Sequence, residues 1–336
     1  MIRLLLITAS FLCANTLAQE ITRGANWEIP LTEYGRADLQ GVWSFDSQTP
    51  FQRPQHLPDK AYYTSTEAAE IEERLRIEIA GDTTHIDPDR EAPPAGVAIG
   101  QEADVGFLSH TFTPELLKIG GKYPTSIITQ PQNGRLPYRN SFKDFHEKKA
   151  EMGLIETEAF GPEVLRLSTR CLVWGAAVPN LVPIRTNPIL QIIQSENHVV
   201  IQTELINDAR IIKLSSKRRE NEIRKWFGNS YGYWDGDTLV VETKNFRPDQ
   251  SHFRLLRMSP EFELTERFSI IDDDQIFYQF MITDELALSE EVAGETIFKR
   301  NLDSDRIYEF GCHEGDYSMA GILAGARRAQ LNDSRD

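Results

Sequence analysis

The sequence is poor in cysteine, in basic residues and in long apolar stretches, and each shortage excludes a class of protein. Three cysteines in 336 residues are too few for a small disulfide-rich scaffold. The 36 lysines and arginines are outnumbered by 51 acids, giving a net charge of −15, so the chain lacks the cation excess that non-specific nucleic-acid binding requires. Apolar residues still make up 40% of the chain, which excludes wholesale disorder.

The strong catalytic and metal-binding motifs are also missing. The sequence has no nucleophile-elbow pattern, no H-E-x-x-H pair and no phosphate-binding glycine loop. Its seven histidines are scattered, and none stands at ligand spacing from another. We therefore predict neither a metal site nor a cofactor.

What is present begins with an N-terminal leader. Arg3 is the only charged side chain in residues 1–18, and an apolar core and small residues precede a predicted cleavage site before Gln19. The apolar run is shorter than the roughly 20 residues of a spanning helix, which favours a signal peptide over a membrane anchor. A lipoprotein attached through Cys13 is disfavoured by the bulky Leu12 before it. The sequence thus predicts a periplasmic or secreted protein with no transmembrane segment in the mature chain.

Two cysteines, Cys171 and Cys312, remain once the leader is removed. In an exported protein, such a pair most simply forms a disulfide. Two separate buried thiols are the alternative.

The mature chain divides into two predicted regions. Residues 19–120 form an N-terminal extension, in which a capping box starting at Thr64 opens an amphipathic helix over 65–80. A Pro/Gly-rich loop over 81–100 follows that helix. Residues 121–331 form the second domain.

The second domain is predicted to be mainly β. Its apolar residues alternate with period two, and turn residues such as Asp235-Gly236-Asp237 separate the runs, which is typical of antiparallel hairpins. Many short strands without intervening helices predict an antiparallel meander that closes into a lipocalin-like β-barrel, because closure removes exposed edges. A short C-terminal helix is expected over 319–331. The predicted strands cover 189–194, 198–205, 209–214, 231–234, 238–241, 264–271, 275–283, 293–299 and 306–311.

Polar residues on otherwise apolar strand faces are the candidate catalytic groups. If Glu204 and Arg210 both point into the barrel, they form an acid–guanidinium pair that orients a ligand or holds a carboxylate as a base. If those faces point outward, the pair is a cross-strand surface contact of little energetic value. Two-fold alternation fixes relative faces but not which face is inside.

Two further catalytic candidates lie beside turns. Asp208 either makes the turn between two strands or acts as a loop acid at the barrel mouth. His313, next to Cys312 and close to two acids, either serves in acid–base chemistry or satisfies a local hydrogen bond. The candidate ligand-binding residues, which include aromatics that are alternatively core residues, are Gln202, Trp226, Tyr231 and Trp234.

Several specific motifs are spread over residues 38–327. They are D-L-Q-G-V-W at Asp38, D-A-R-I-I at Asp208, W-D-G-D-T-L-V-V at Trp234, E-R-F at Glu266 and C-H-E-G-D-Y at Cys312. With these motifs the chain resembles a widespread group of exported bacterial proteins of uncharacterised function, which implies a shared fold and compartment but no activity. Members of the group often carry a histidine where this chain has Glu263, and a Pro-Trp that is absent near Glu290. The opening G-V-W is also similar to the start of lipocalin-like barrels, an analogy of fold alone.

Three functional hypotheses follow. The leading one is an exported barrel that holds a small, partly apolar molecule and carries out cofactor-independent isomerisation, elimination or hydrolysis. The second is ligand binding without turnover. The third is an envelope interaction protein, which predicts a filled barrel in place of a cavity.

Overall fold

The computed structural model describes residues 23–82 except 25, 113–143, 188–215, 223–247, 258–302, 304–314 and 318–333, with a few isolated positions between 161 and 172 and at 256. The predicted leader and residues 83–100 of the predicted loop lie outside the described residues. The strands are β1 (Gly41–Ser44), β2 (Tyr62–Tyr63), β3 (Tyr123–Pro124), β4 (Ile128–Gln130), β5 (Ile189–Gln194), β6 (His198–Thr203), β7 (Ala209–Leu214), β8 (Asn229–Asp235), β9 (Thr238–Lys244), β10 (Glu263–Asp272), β11 (Gln275–Thr283) and β12 (Val292–Arg300).

Nine of these strands form a closed β-barrel, as the sequence predicts. The order is β1-β5-β6-β7-β8-β9-β10-β11-β12, and β12 pairs back with β1. The short strand β4 adds to β12 beside β1. Because β1 lies at residues 41–44, the barrel draws on both of the predicted regions of the chain.

One pair in the barrel differs from a simple meander. β7 and β8 run parallel, with Lys213 opposite Tyr231, whereas every other neighbouring pair is antiparallel. Parallel neighbours cannot be joined by a tight turn. β8 accordingly begins only at Asn229 and not directly after Leu214.

The other hairpins follow their turn residues. Gly236, with φ +59°, makes the tight turn between β8 and β9, as the Asp-Gly motif predicts.

The predicted strand over 306–311 is wrong, because this segment pairs with no other strand. Its Tyr308 N–H donates to the Glu204 carboxylate, and its Phe310 carbonyl accepts from the Asn207 amide, so side chains replace strand partners.

Both predicted helices are present, as α1 (Ser65–Asp82) and α2 (Ser318–Asp333). The capping box is confirmed: the Thr64 N–H donates to Glu67, and the Glu67 N–H donates to the Thr64 hydroxyl. Neither described helix has the length and apolarity needed to cross a membrane.

Cys171 and Cys312 form the predicted disulfide, with their Cα atoms 5.8 Å apart.

Side chains occupy the barrel interior. Trp43, Phe268, Tyr278 and Phe298 are fully buried in one continuous cluster contributed by all walls of the barrel. The Tyr278 ring lies 4.9 Å from those of both Phe268 and Phe298. A Cβ placed on Gly294 would lie 2.2 Å from the Phe280 ring, so even a methyl group has no room there.

Candidate functional site

A buried charged group crosses the barrel interior. Arg210 of β7 and Glu266 of β10 lie on inward-facing positions, separated along the wall by β8 and β9. The guanidinium donates to both carboxylate oxygens, over 2.6 and 3.0 Å, and the two side chains are 2% and 0% exposed. The Tyr278 hydroxyl donates to the same carboxylate over 2.8 Å. Together these three groups form what we call the interior triad.

The three side chains of the interior triad are hydrogen-bonded to one another and are buried in the core. A bidentate guanidinium–carboxylate pair satisfies both charges where water cannot. Burial, and then the neighbouring Glu266 carboxylate, raise the pKa of Tyr278 well above its usual value, so its hydroxyl remains a hydrogen-bond donor. Among the described residues, the Arg210 Nε finds no hydrogen-bond partner.

The structure pairs Arg210 with Glu266 in place of the predicted Glu204. β6 ends at Thr203, whose side chain is fully buried, and the chain then leaves the strand in a short 3-10 turn. Glu204 begins that turn, and its Oε2 accepts from the Tyr308 N–H over 3.0 Å. Arg210 therefore faces the barrel interior, which is one of the two orientations that the alternation left open, but its partner lies on β10, beyond β8 and β9. A catalytic role for Glu204 stays a prediction.

The turn between β6 and β7 contains Asp208 and has an unusual backbone. Ile206 and Asn207 have φ values of +63° and +54°, and this left-handed region is unfavourable for a β-branched residue such as Ile206. The Asp208 carbonyl accepts from the Thr203 N–H over 2.8 Å, which confirms the predicted turn. Asp208 is also buried, at 8% exposure. No observation tests its catalytic role.

The remaining predicted site residues lie apart from the interior triad. His313 is exposed beside the half-buried Cys312. Gln202 is half-buried and points away from the interior, since its neighbours Ile201 and Thr203 are the fully buried ones.

The three aromatic candidates are also dispersed. The Arg247 guanidinium lies over the Trp226 ring, 4.0 Å from the ring centre. Tyr231 is buried. Trp234 lies next to the β8–β9 turn. Because β7 and β8 are parallel, this turn is at the opposite end of the wall from Asp208.

A groove outside the barrel was missed by the sequence analysis. Its volume is about 360 Å³, and it lies between α1 and residues 48–63, with Leu116 also lining it. Two hydrogen bonds hold Leu116 in place: its N–H donates to Glu72 over 3.0 Å, and the next N–H donates to the Thr49 hydroxyl over 2.8 Å. The lining residues are Gln48, Pro50, His56, Leu57, Lys60, Tyr63, Glu67, Glu70, Ile71, Arg74, Leu75 and Leu116.

The groove combines an apolar wall with a polar rim. Leu57, Ile71 and Leu75 are half-buried. On the rim, Lys60 forms an ion pair with Glu67. This contact and the donors of Thr64 lower the pKa of Glu67 to about 2. In the part of the chain that the structure describes, Arg74 makes no ion pair or hydrogen bond.

No protein-family model matches this chain, and no curated protein is significantly similar to it. The resemblance to exported bacterial proteins therefore stays a prediction. The class that the described part of the chain defines is that of a closed nine-stranded β-barrel with helices before and after most of its strands in the sequence.

Proposed function

We propose that this chain is an exported, non-catalytic protein that binds a small, partly apolar molecule in the groove beside α1. The observation that carries this proposal is the contrast between a side-chain-filled barrel and an open groove of about 360 Å³. Small-molecule sites have roughly this volume and join apolar walls to a few polar groups. Export is supported by the leader pattern and by the disulfide, which persists in oxidising compartments.

The test is binding of a neutral fluorescent probe, N-phenylnaphthylamine, to the mature chain. Leu57→Glu places a charge against the apolar wall and should weaken binding by roughly tenfold or more. Ile211→Glu is the matched control, because Ile211 is 65% exposed on the outer wall of β7, far along the chain from the groove. Circular dichroism would show that both variants remain folded. Absence of saturable binding, or equal losses in both variants, would contradict the proposal.

A second candidate function is acid–base chemistry at the β6–β7 turn. The observation in its favour is the pair of buried acids, Glu204 and Asp208, flanking the left-handed Ile206, since strained backbone concentrates at functional sites. The probe is p-nitrophenyl acetate hydrolysis by the intact chain, compared with Asp208→Asn and with the distant Asp305→Asn. A rate that falls only in Asp208→Asn, with unchanged stability, supports this candidate. A rate that is the same in all three proteins rejects hydrolysis at this turn.

A further inference from the structure

We propose that the ligand of the groove is an amphipathic carboxylate, whose anionic head binds Arg74 and whose apolar tail lies along the wall of Leu57 and Ile71. This inference rests on the proposed function and adds the chemical class of the ligand.

The charges on the rim favour an anion at Arg74. Lys60 is already neutralised by Glu67, so it offers little net charge to a ligand. Arg74 lines the same groove, near the Tyr63 phenol, and forms no described ion pair or hydrogen bond, on a protein whose net charge is −15. A guanidinium binds a carboxylate through two parallel hydrogen bonds, which an ammonium cannot reproduce.

The spacing along α1 places the head and tail sites side by side. Ile71, Arg74 and Leu75 are related by i, i+3 and i+4, so they share one face of the helix. A carboxylate at Arg74 therefore leaves its alkyl chain against Ile71 and Leu75. Leu57 and Leu116 line the same groove. A flat surface with one arginine would bind the head alone, whereas here the tail is also removed from water.

One acid on the rim opposes this anion. Glu70 lines the groove four residues before Arg74. The two side chains lie on one helix face but form no ion pair in the structure. A bound carboxylate therefore feels the repulsion of Glu70 as well as the attraction of Arg74. Removing the Glu70 charge should strengthen anion binding and leave a neutral ligand unaffected.

The experiment is isothermal titration of the mature chain with octanoate and, separately, with octanol, which has the same tail and no charge. Arg74→Gln should weaken octanoate binding by roughly five- to tenfold, as expected for a partly exposed charge-assisted pair, and leave octanol unchanged. Arg76→Gln is the matched control, since Arg76 belongs to the same helix but pairs with Glu73 and does not line the groove. Glu70→Gln should tighten octanoate binding by about twofold.

The outcomes separate this inference from the function on which it rests. If octanoate and octanol bind equally well and Arg74→Gln changes neither, the carboxylate anchor is wrong while groove binding stands. If neither compound binds and the neutral probe also fails, the proposed function itself is wrong. If Arg76→Gln weakens octanoate as much as Arg74→Gln, the effect is one of general surface charge, and the assignment to Arg74 is overturned.

Discussion

The barrel interior and the groove beside α1 each contain an ion pair, and the two pairs differ in almost every physical respect. The Arg210–Glu266 side chains are 2% and 0% exposed, and they share a third buried partner, Tyr278. The Lys60–Glu67 side chains are 36% and 40% exposed. The inner pair is sealed within a packed core, whereas the outer pair borders open volume. Charged residues inside a barrel are thus not by themselves evidence of a ligand site.

This difference in exposure predicts that the inner pair affects stability and that the groove affects ligand binding. Breaking a buried pair leaves an uncompensated charge in a medium that cannot solvate it, whereas an exposed pair is screened by water. We therefore expect interior substitutions to change the free energy of unfolding and groove substitutions to change ligand affinity.

Glu266→Gln should reduce the free energy of unfolding by roughly 3–5 kcal/mol, because the Arg210 charge loses its buried counterion. The measurement is urea unfolding followed by tryptophan fluorescence. Glu263→Gln is the matched control, since Glu263 lies on the same strand in an exposed pair with Lys244. A loss below about 1 kcal/mol would mean that water reaches the interior, which would contradict a sealed triad.

Gly294→Ala should reduce the free energy of unfolding by roughly 1–3 kcal/mol, because the new methyl group meets the Phe280 ring in a full interior. Gly321→Ala on α2 adds the same methyl group where no atom lies within 4 Å. That control should be neutral or stabilising, since alanine favours a helix over glycine. A stabilising effect of Gly294→Ala would indicate a hollow barrel.

Asp46 follows β1 in the chain, and its carboxylate accepts from the Thr113 N–H over 2.6 Å. Burial raises its pKa to about 6, against the opposing effects of the Thr113 N–H and Lys299. The folded state thus binds this proton more tightly than the unfolded state, whose pKa is 3.8. Stability from this group is present below the unfolded pKa and is lost as the pH rises through 6.

Asp46→Asn should therefore remove this loss and stabilise the protein by roughly 1–2 kcal/mol above pH 7, with little change near pH 4. Asn retains the carbonyl oxygen that accepts from Thr113. Thermal unfolding at a series of pH values measures the effect, with the exposed Asp305→Asn as a control. The same stabilisation at pH 4 and at pH 8 would show that the carboxylate charge is not responsible.

Local patterns in the sequence predict much of the fold. The period-two alternation and the Asp-Gly turn locate the strands from 189 to 300, and the capping box locates the start of α1. The closing strand β1 could not be paired in advance, because it has four residues and its partners β5 and β12 lie far along the chain. The false strand at 306–311 has the right composition but satisfies its backbone through side chains of the β6–β7 turn.

The candidate site was less predictable than the fold. Alternation shows which residues share a strand face with Arg210. Its partner Glu266 lies on β10, beyond β8 and β9, and the two side chains meet only because the sheet curves into a barrel. The groove depends on how α1 sits against residues 48–63 and on two long-range hydrogen bonds to residues 116 and 117. The spacing of Ile71 and Leu75 predicts an apolar face on α1, but these long-range hydrogen bonds leave no periodic signal, so the sequence does not predict an open groove beside that face.

The most direct test of the account is to locate the bound molecule. A neutral octanol analogue with a photoreactive diazirine in its tail would be cross-linked to the mature chain, and the modified residues identified by peptide mass spectrometry. Binding in the groove predicts adducts on Leu57, Ile71, Leu75 or Leu116. Adducts on the inward-facing residues of β10 to β12, such as Phe268 or Phe298, would show that the barrel interior holds the ligand and would contradict the account.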